Sequence, residues 1–254
     1  MANEKARQAD IGDGEEAGSV ASWLDFWDAE HSIYVNRRHV EAHYRRLFAD
    51  IAPLLPPGPF TLMDYGCGDA LMAPALVKRG GRVLLFEQAP ARRAGLARRF
   101  AGMDGVAVLD EAGWRALPAE SCDLVLLISV IQYLDRAALA ALLAALRPLL
   151  SPGGRLVIGD IVGPEAGMIK DVVALLTFAA GNGFLLAALA GLARTWLSDY
   201  RKIRQRLGFT SYTPDGLAAL LAEGGWRSER LAWNIGHAGH RRSMVAWPMP
   251  GKGL

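Results

Sequence analysis

Between residues 60 and 162 this chain alternates short, continuously apolar runs with helix-forming stretches, and that alternation constrains its fold more than any other feature. The apolar runs are 60–64, "RVLLFE" at 82–87, "VAVLD" at 106–110, "DLVLLIS" at 123–129 and "RLVIGDIV" at 155–162. Helical stretches fall at 70–79, 90–101 and 135–150; Gly80-Gly81 stops the first, and Asp135 is placed to cap the third. Strands with no polar side are buried on both faces, which requires helices above and below a parallel sheet. A doubly wound, mostly parallel α/β sheet follows, and right-handed crossovers put its ligand at the carboxyl ends of the first strands.

The flanking segments complete the expected organisation. Residues 1–20 are polar, lack the apolar core of a secretory signal, and read as a disordered lead. Residues 21–56 carry aromatics and leucines at helical spacing, with a break at 32–36, and form an N-terminal helical cap closed by "PPGP". The rest, 57–254, is one α/β domain with an insertion at 164–210 after the fifth strand. Within it, 172–193 has no charge and is long enough to cross a bilayer, but Gly181-Asn182-Gly183 divides it into two short helices. Thr213 and Pro214 open a last helix that Gly224-Gly225 ends. Strands at 230–235 and 243–248 then form an antiparallel edge, giving seven strands with the final one antiparallel.

A net charge of +2 from 28 basic and 26 acidic residues is too mild for a nucleic-acid field. The two cysteines, Cys67 and Cys122, have neither metal nor disulfide spacing; no metal is expected, and a reducing cytoplasm fits.

The turn after the first strand, "DYGCGDA" at 64–70, indicates the ligand. Glycine-rich turns between strand and helix usually cradle phosphate. Here the third position of a dinucleotide fingerprint falls on Leu71, where a side chain opposes close helix packing. Asp64 and Asp69 would repel a pyrophosphate and favour an ammonium or sulfonium.

With this turn, the chain resembles the Rossmann-like, class I S-adenosylmethionine-dependent methyltransferases, whose first strand ends in D/E-x-G-x-G-x-G. Further blocks follow in the family's order: Glu87 ending the second strand, Asp110 ending the third, "LPAESCDLVLLISVIQYL" at 117–134, and "LRPLLSPGGRLVIGD" at 146–160. The departure is Ala70 in place of the last glycine, which costs little if its φ is negative. The resemblance implies S-adenosylmethionine as cofactor. Gly66, Cys67 and Gly68 would lie against its methionyl part, with Cys67 a small filler rather than a nucleophile. Asp64 would hold the amino group, Glu87 with neighbouring Gln88 the ribose, and Asp110, Glu111 or the Trp114 indole the adenine. Ser129 would offer its carbonyl.

In this family the N-terminal region often folds over the cofactor, which makes His31, Tyr34, His43 and Tyr44 candidates, Tyr34 for the cofactor and His31 for catalysis. Tyr133 stands where many relatives have histidine, and His237 with His240 in "NIGHAGHRR" are candidate bases; His237 joins Tyr133 and His31 in the catalytic set. The expected reaction is in-line methyl transfer to a small-molecule acceptor. The apolar insertion, followed by Arg194, Arg201, Lys202, Arg204 and Arg206, points to an apolar or lipid-like acceptor, or to contact with a membrane surface or a second copy of the chain. Two alternatives stay open: a silent cofactor-binding subunit and a nicotinamide-dependent oxidoreductase.

Overall fold

The structure is a computed structural model that describes residues 34–165, 167–196 and 210–250. The expected lead, His31 and the basic stretch 201–206 lie outside those residues.

Seven strands form one sheet in the order β3-β2-β1-β4-β5-β7-β6. They are β1 (Phe60–Tyr65), β2 (Gly81–Phe86), β3 (Val106–Leu109), β4 (Cys122–Ile128), β5 (Leu150–Ile161), β6 (Trp226–Arg230) and β7 (Arg242–Pro248). The first five pair in parallel, while β7 runs antiparallel to both β5 and β6. The chain reverses its direction of travel across the sheet between β1 and β4, and this switch point is where ligands enter open α/β sheets.

Side-chain alternation divides the core between the two faces. Met63, Leu84, Phe86, Val125 and Leu127 pack under α5 (Arg136–Leu146) and α8 (Pro214–Glu223), through Leu139, Leu142, Leu143, Leu217 and Leu221. On the other face Leu62, Val83, Leu85, Leu124 and Leu126 pack under α1 (Arg37–Ile51), α2 (Ala73–Lys78) and α3 (Pro90–Arg99), against Tyr44, Leu47, Ile51, Leu76 and Leu96. Asp135 and Thr213 cap α5 and α8 as their sequence positions predict, accepting from Ala138 N and Gly216 N.

The insertion forms two helices, α6 (Met168–Asn182) and α7 (Leu185–Trp196), separated by Gly183 at φ 71°, and no described helix is long and apolar enough to cross a membrane. Its large apolar side chains point outward as well as inward. Ile169 is 80% and Leu186 82% exposed, whereas Ala179, Phe184 and Ala188 are buried against Ala42 of α1.

Three local expectations need correction. The sixth strand is Trp226–Arg230, not 230–235: the Asn234 amide ties to Ala238 O and Ser243 Oγ, holding "AWNIGHAGH" as a loop. A short helix, α4 (Glu111–Arg115), follows β3, and Asp110 is its N-cap. Ala70 has φ 48°, not a negative value, and its methyl is buried. An L-residue in that region costs about 1–2 kcal/mol, so alanine holds under strain a conformation that glycine would adopt freely.

Candidate active site

A chamber of about 600 Å³ opens at the carboxyl ends of β1, β4 and β5. One end is built by the glycine turn. Gly66 and Cys67 donate backbone N–H groups to Phe86 O (2.8 and 3.1 Å), which closes the turn onto β2. Gly66 and Gly68 sit at φ 77° and 56°. A Cβ on Gly66 would lie 2.7 Å from Val130 Cγ2, and one on Gly68 2.9 Å from the Tyr44 hydroxyl. The main chain is thus bare where it faces the chamber. From α1, the Tyr44 hydroxyl accepts from Asp69 N (2.7 Å) and donates to Cys67 O (3.1 Å), fastening the N-terminal helix to the turn.

Two buried carboxylates lie beside the turn. Glu87 accepts from Gly68 N (3.0 Å) and Ala89 N (3.1 Å), and each of its oxygens retains a lone pair for a further donor. Asp64, 3% exposed, accepts no protein hydrogen bond among those described. Its carboxyl pKa is pushed up to about 7, first by burial and then by the charge of Glu87. Ser129, at φ 55°, has its carbonyl facing the Gln132 amide (Nε2 to O, 2.8 Å), and Gln132 Oε1 is buried without a partner in the described structure. A bare turn, two acids and an orphaned amide oxygen fit a cofactor carrying an ammonium, a diol and a sulfonium. Tyr34, Asp64, Gly66, Cys67, Gly68, Glu87, Gln88, Glu111, Ser129 and Tyr133 all line the chamber.

Two sequence candidates stand elsewhere. Asp110 does not reach the chamber, since its carboxylate accepts from Gly113 N (2.7 Å) as the cap of α4. Trp114 is buried beneath Tyr65 and Phe86, with ring centroids 5.6 and 6.0 Å away, and donates to Glu111 Oε2 (2.9 Å). Cys67 is buried and its thiol pKa raised, which agrees with a filler.

The other end of the chamber joins elements far apart in the chain. His237 lies there beside His39 and His43 of α1. Asp160, Arg241 and Asp171, which sequence reasoning missed as site residues, form a partly buried network. Arg241 donates to Asp160 Oδ2 (2.6 Å) and Asp171 Oδ1 (3.0 Å), Ser129 Oγ donates to Asp160 Oδ2 (2.7 Å), and His240 Nε2 lies 3.0 Å from Asp171 Oδ1. The register of β5 against β7 shifts between Ile158 and Ile161, and Asp160 has φ 59°. Such a bulge re-aims a side chain. Asp160 ends an apolar run as Asp64 and Glu87 do, and that shared pattern was its available signal.

Comparison with known proteins agrees with this geometry. A family model described as a methyltransferase domain matches residues 36–230. No curated protein sequence matches the chain. Among solved structures, the fold is similar to a Burkholderia thailandensis 1,6-didemethyltoxoflavin N1-methyltransferase with bound 1,6-didemethyltoxoflavin and S-adenosylhomocysteine, at TM-score 0.56, 16% identity, and coverage of 96% of this chain and 94% of that one. It is also similar to a Leishmania major S-adenosylmethionine-dependent methyltransferase, at TM-score 0.57, 15% identity, and coverage of 93% and 86%. The pyocyanin biosynthetic protein PhzM is similar at TM-score 0.52 and 20% identity over 80% of this chain, which spans 54% of PhzM. The domain match over most of the chain, on a sheet of this order with a bare glycine turn between acidic strand ends, makes the protein a member of the class I, Rossmann-like S-adenosylmethionine-dependent methyltransferases.

Proposed function

We propose that this methyltransferase acts on a small-molecule acceptor held in the histidine-lined end of the chamber. The observation that carries the reading is continuity: one cavity is lined both by the glycine turn with Glu87 and by His43, His237 and Asp171. The cofactor, when bound, supplies an electrophilic methyl group. The protein's part is alignment, exclusion of water and reception of a proton. Gly66 and Gly68 bring the main chain close, Asp64 receives the ammonium, and Glu87 receives the ribose diol.

His237 is the base in this proposal. Burial lowers its pKa below the ordinary 6.5, with opposing effects from Asp160 and Arg241. It is therefore neutral at physiological pH and able to take a proton from an acceptor N–H or O–H. At saturating cofactor, the acidic limb of the turnover profile falls below pH 6.5. His237→Gln lowers turnover by about 10²–10⁴-fold without weakening cofactor binding. A flat pH profile, or turnover retained in the variant, removes His237 from this role.

Incubation with cell extract and S-adenosylmethionine labelled on the methyl group tests the function itself. Label is expected in the small-molecule fractions; label confined to protein, or none at all, overturns the proposal, the latter being the behaviour of a silent binding subunit. Tyr44→Phe tests the attachment of α1. It leaves Asp69 N–H without its partner, at about 1–3 kcal/mol for a buried unpaired group, while Cys67 O keeps the hydrogen bond from Ala70 N. Calorimetry should show weaker cofactor binding with unchanged stoichiometry, and equal affinity would show that the hydroxyl does not hold the turn.

A further inference from the structure

The acceptor end of the chamber has a wall of imidazoles. His39 and His237 have ring centroids 6.4 Å apart at 78°, and His43 and His237 6.3 Å apart at 76°. Phe178 stacks on His237 (4.9 Å, 21°) and Phe184 on His39 (4.7 Å, 18°). Neither phenylalanine lines the chamber, so the phenyl rings back the wall and the imidazoles form it. Tyr34 lies 5.2 Å from His39 and 5.4 Å from His43. Fixed ring faces and edges of this kind match a flat π system better than a flexible acyl chain. From the insertion, Asp171 and Leu175 alone among the described residues reach the lining.

Charge narrows the class. Burial holds all three imidazoles neutral, lowering His39 to about 4 and His43 to about 3, with the neighbouring His237 contributing to both. The guanidinium at this end, Arg241, spends its Nη donors on Asp160 and Asp171. Arg92, the other guanidinium in the lining, belongs to α3. An anionic acceptor would meet two carboxylates and a cation already paired with them.

We propose that the acceptor is a flat, uncharged ring system held against His39, His43 and His237, and that carboxylated forms of the same ring are excluded. This deepens, and rests on, the methyltransferase reading of the chamber. The test uses the full chain saturated with S-adenosylhomocysteine and three probes: 2-quinolone, 2-quinolone-4-carboxylate and 1-nonanol, an aliphatic of similar size. Saturation-transfer NMR should show 2-quinolone binding, with the carboxylate at least about tenfold weaker, since like-charge juxtaposition costs several kcal/mol, and with nonanol severalfold weaker through lost stacking. His39→Leu and His237→Leu should each weaken 2-quinolone severalfold while S-adenosylhomocysteine affinity stays within about twofold. Equal or tighter binding of the carboxylate or of nonanol overturns the proposal, as does absence of 2-quinolone binding; the wild-type comparison decides if a variant does not fold. Failure of S-adenosylhomocysteine to bind in calorimetry would instead strike the methyltransferase reading of the chamber.

Discussion

Asp64→Asn raises the melting temperature of the ligand-free protein at about pH 8 and weakens cofactor binding at least about tenfold. The two effects have one origin. Asp64 ends β1 with 3% of its surface exposed, and its carboxyl is raised from 3.8 to about 7, first by burial and then by Glu87. A carboxyl whose folded pKa is raised binds a proton more tightly folded than unfolded. Its contribution is fully present below pH 3.8 and is lost as pH rises through about 7. At pH 8 the empty site carries a buried anion, at a cost on the order of a few kcal/mol. Asparagine keeps the shape without the charge, so the variant should match wild type below about pH 4 and exceed it increasingly as pH rises to 8. The ionised form is the one that attracts an ammonium, so wild-type cofactor affinity should rise between about pH 6 and 8, with proton release visible in buffers of different ionisation enthalpy. A variant no more stable than wild type at pH 8, or one that binds cofactor equally well, would remove Asp64 from this role.

The same residues show where the sequence was sufficient and where it was not. Apolar runs that alternate with helices must become a covered parallel sheet, and Asp135, Thr213 and Gly183 punctuate it locally, so these features could be read in advance. Asp64, Gly66, Gly68 and Glu87 were legible because each ends a strand or forms a turn at a predictable edge. The acceptor end depends on tertiary contacts. Arg241 meets Asp171 across 70 positions, and His237 meets His39 only because α1 folds over the sheet. The bulge that re-aims Asp160 has no marker in "RLVIGD". The apolar insertion suggested the character of the acceptor, yet the most exposed large apolar side chains among its described residues, Ile169 and Leu186, do not line the chamber.

Glu87→Gln should weaken cofactor binding by about 1–3 kcal/mol, or roughly five- to 150-fold. Each Glu87 oxygen now accepts from a backbone N–H, Gly68 on one side and Ala89 on the other, while a lone pair on each is left for the ribose diol. A glutamine turns one of those oxygens into an NH₂ facing a backbone N–H, so the turn loses a fastening and the diol loses an acceptor. The substitution also removes a charge that raises the pKa of Asp64. Asp64 in the variant therefore ionises at lower pH, and the rise of cofactor affinity with pH moves toward acid. Asp64→Asn and Glu87→Gln should accordingly be non-additive in the ligand-free protein, because each relieves part of the same like-charge repulsion. Additive melting shifts at about pH 8 would mean that the two carboxylates do not interact. An unshifted affinity profile in Glu87→Gln would assign the elevated Asp64 pKa to burial alone.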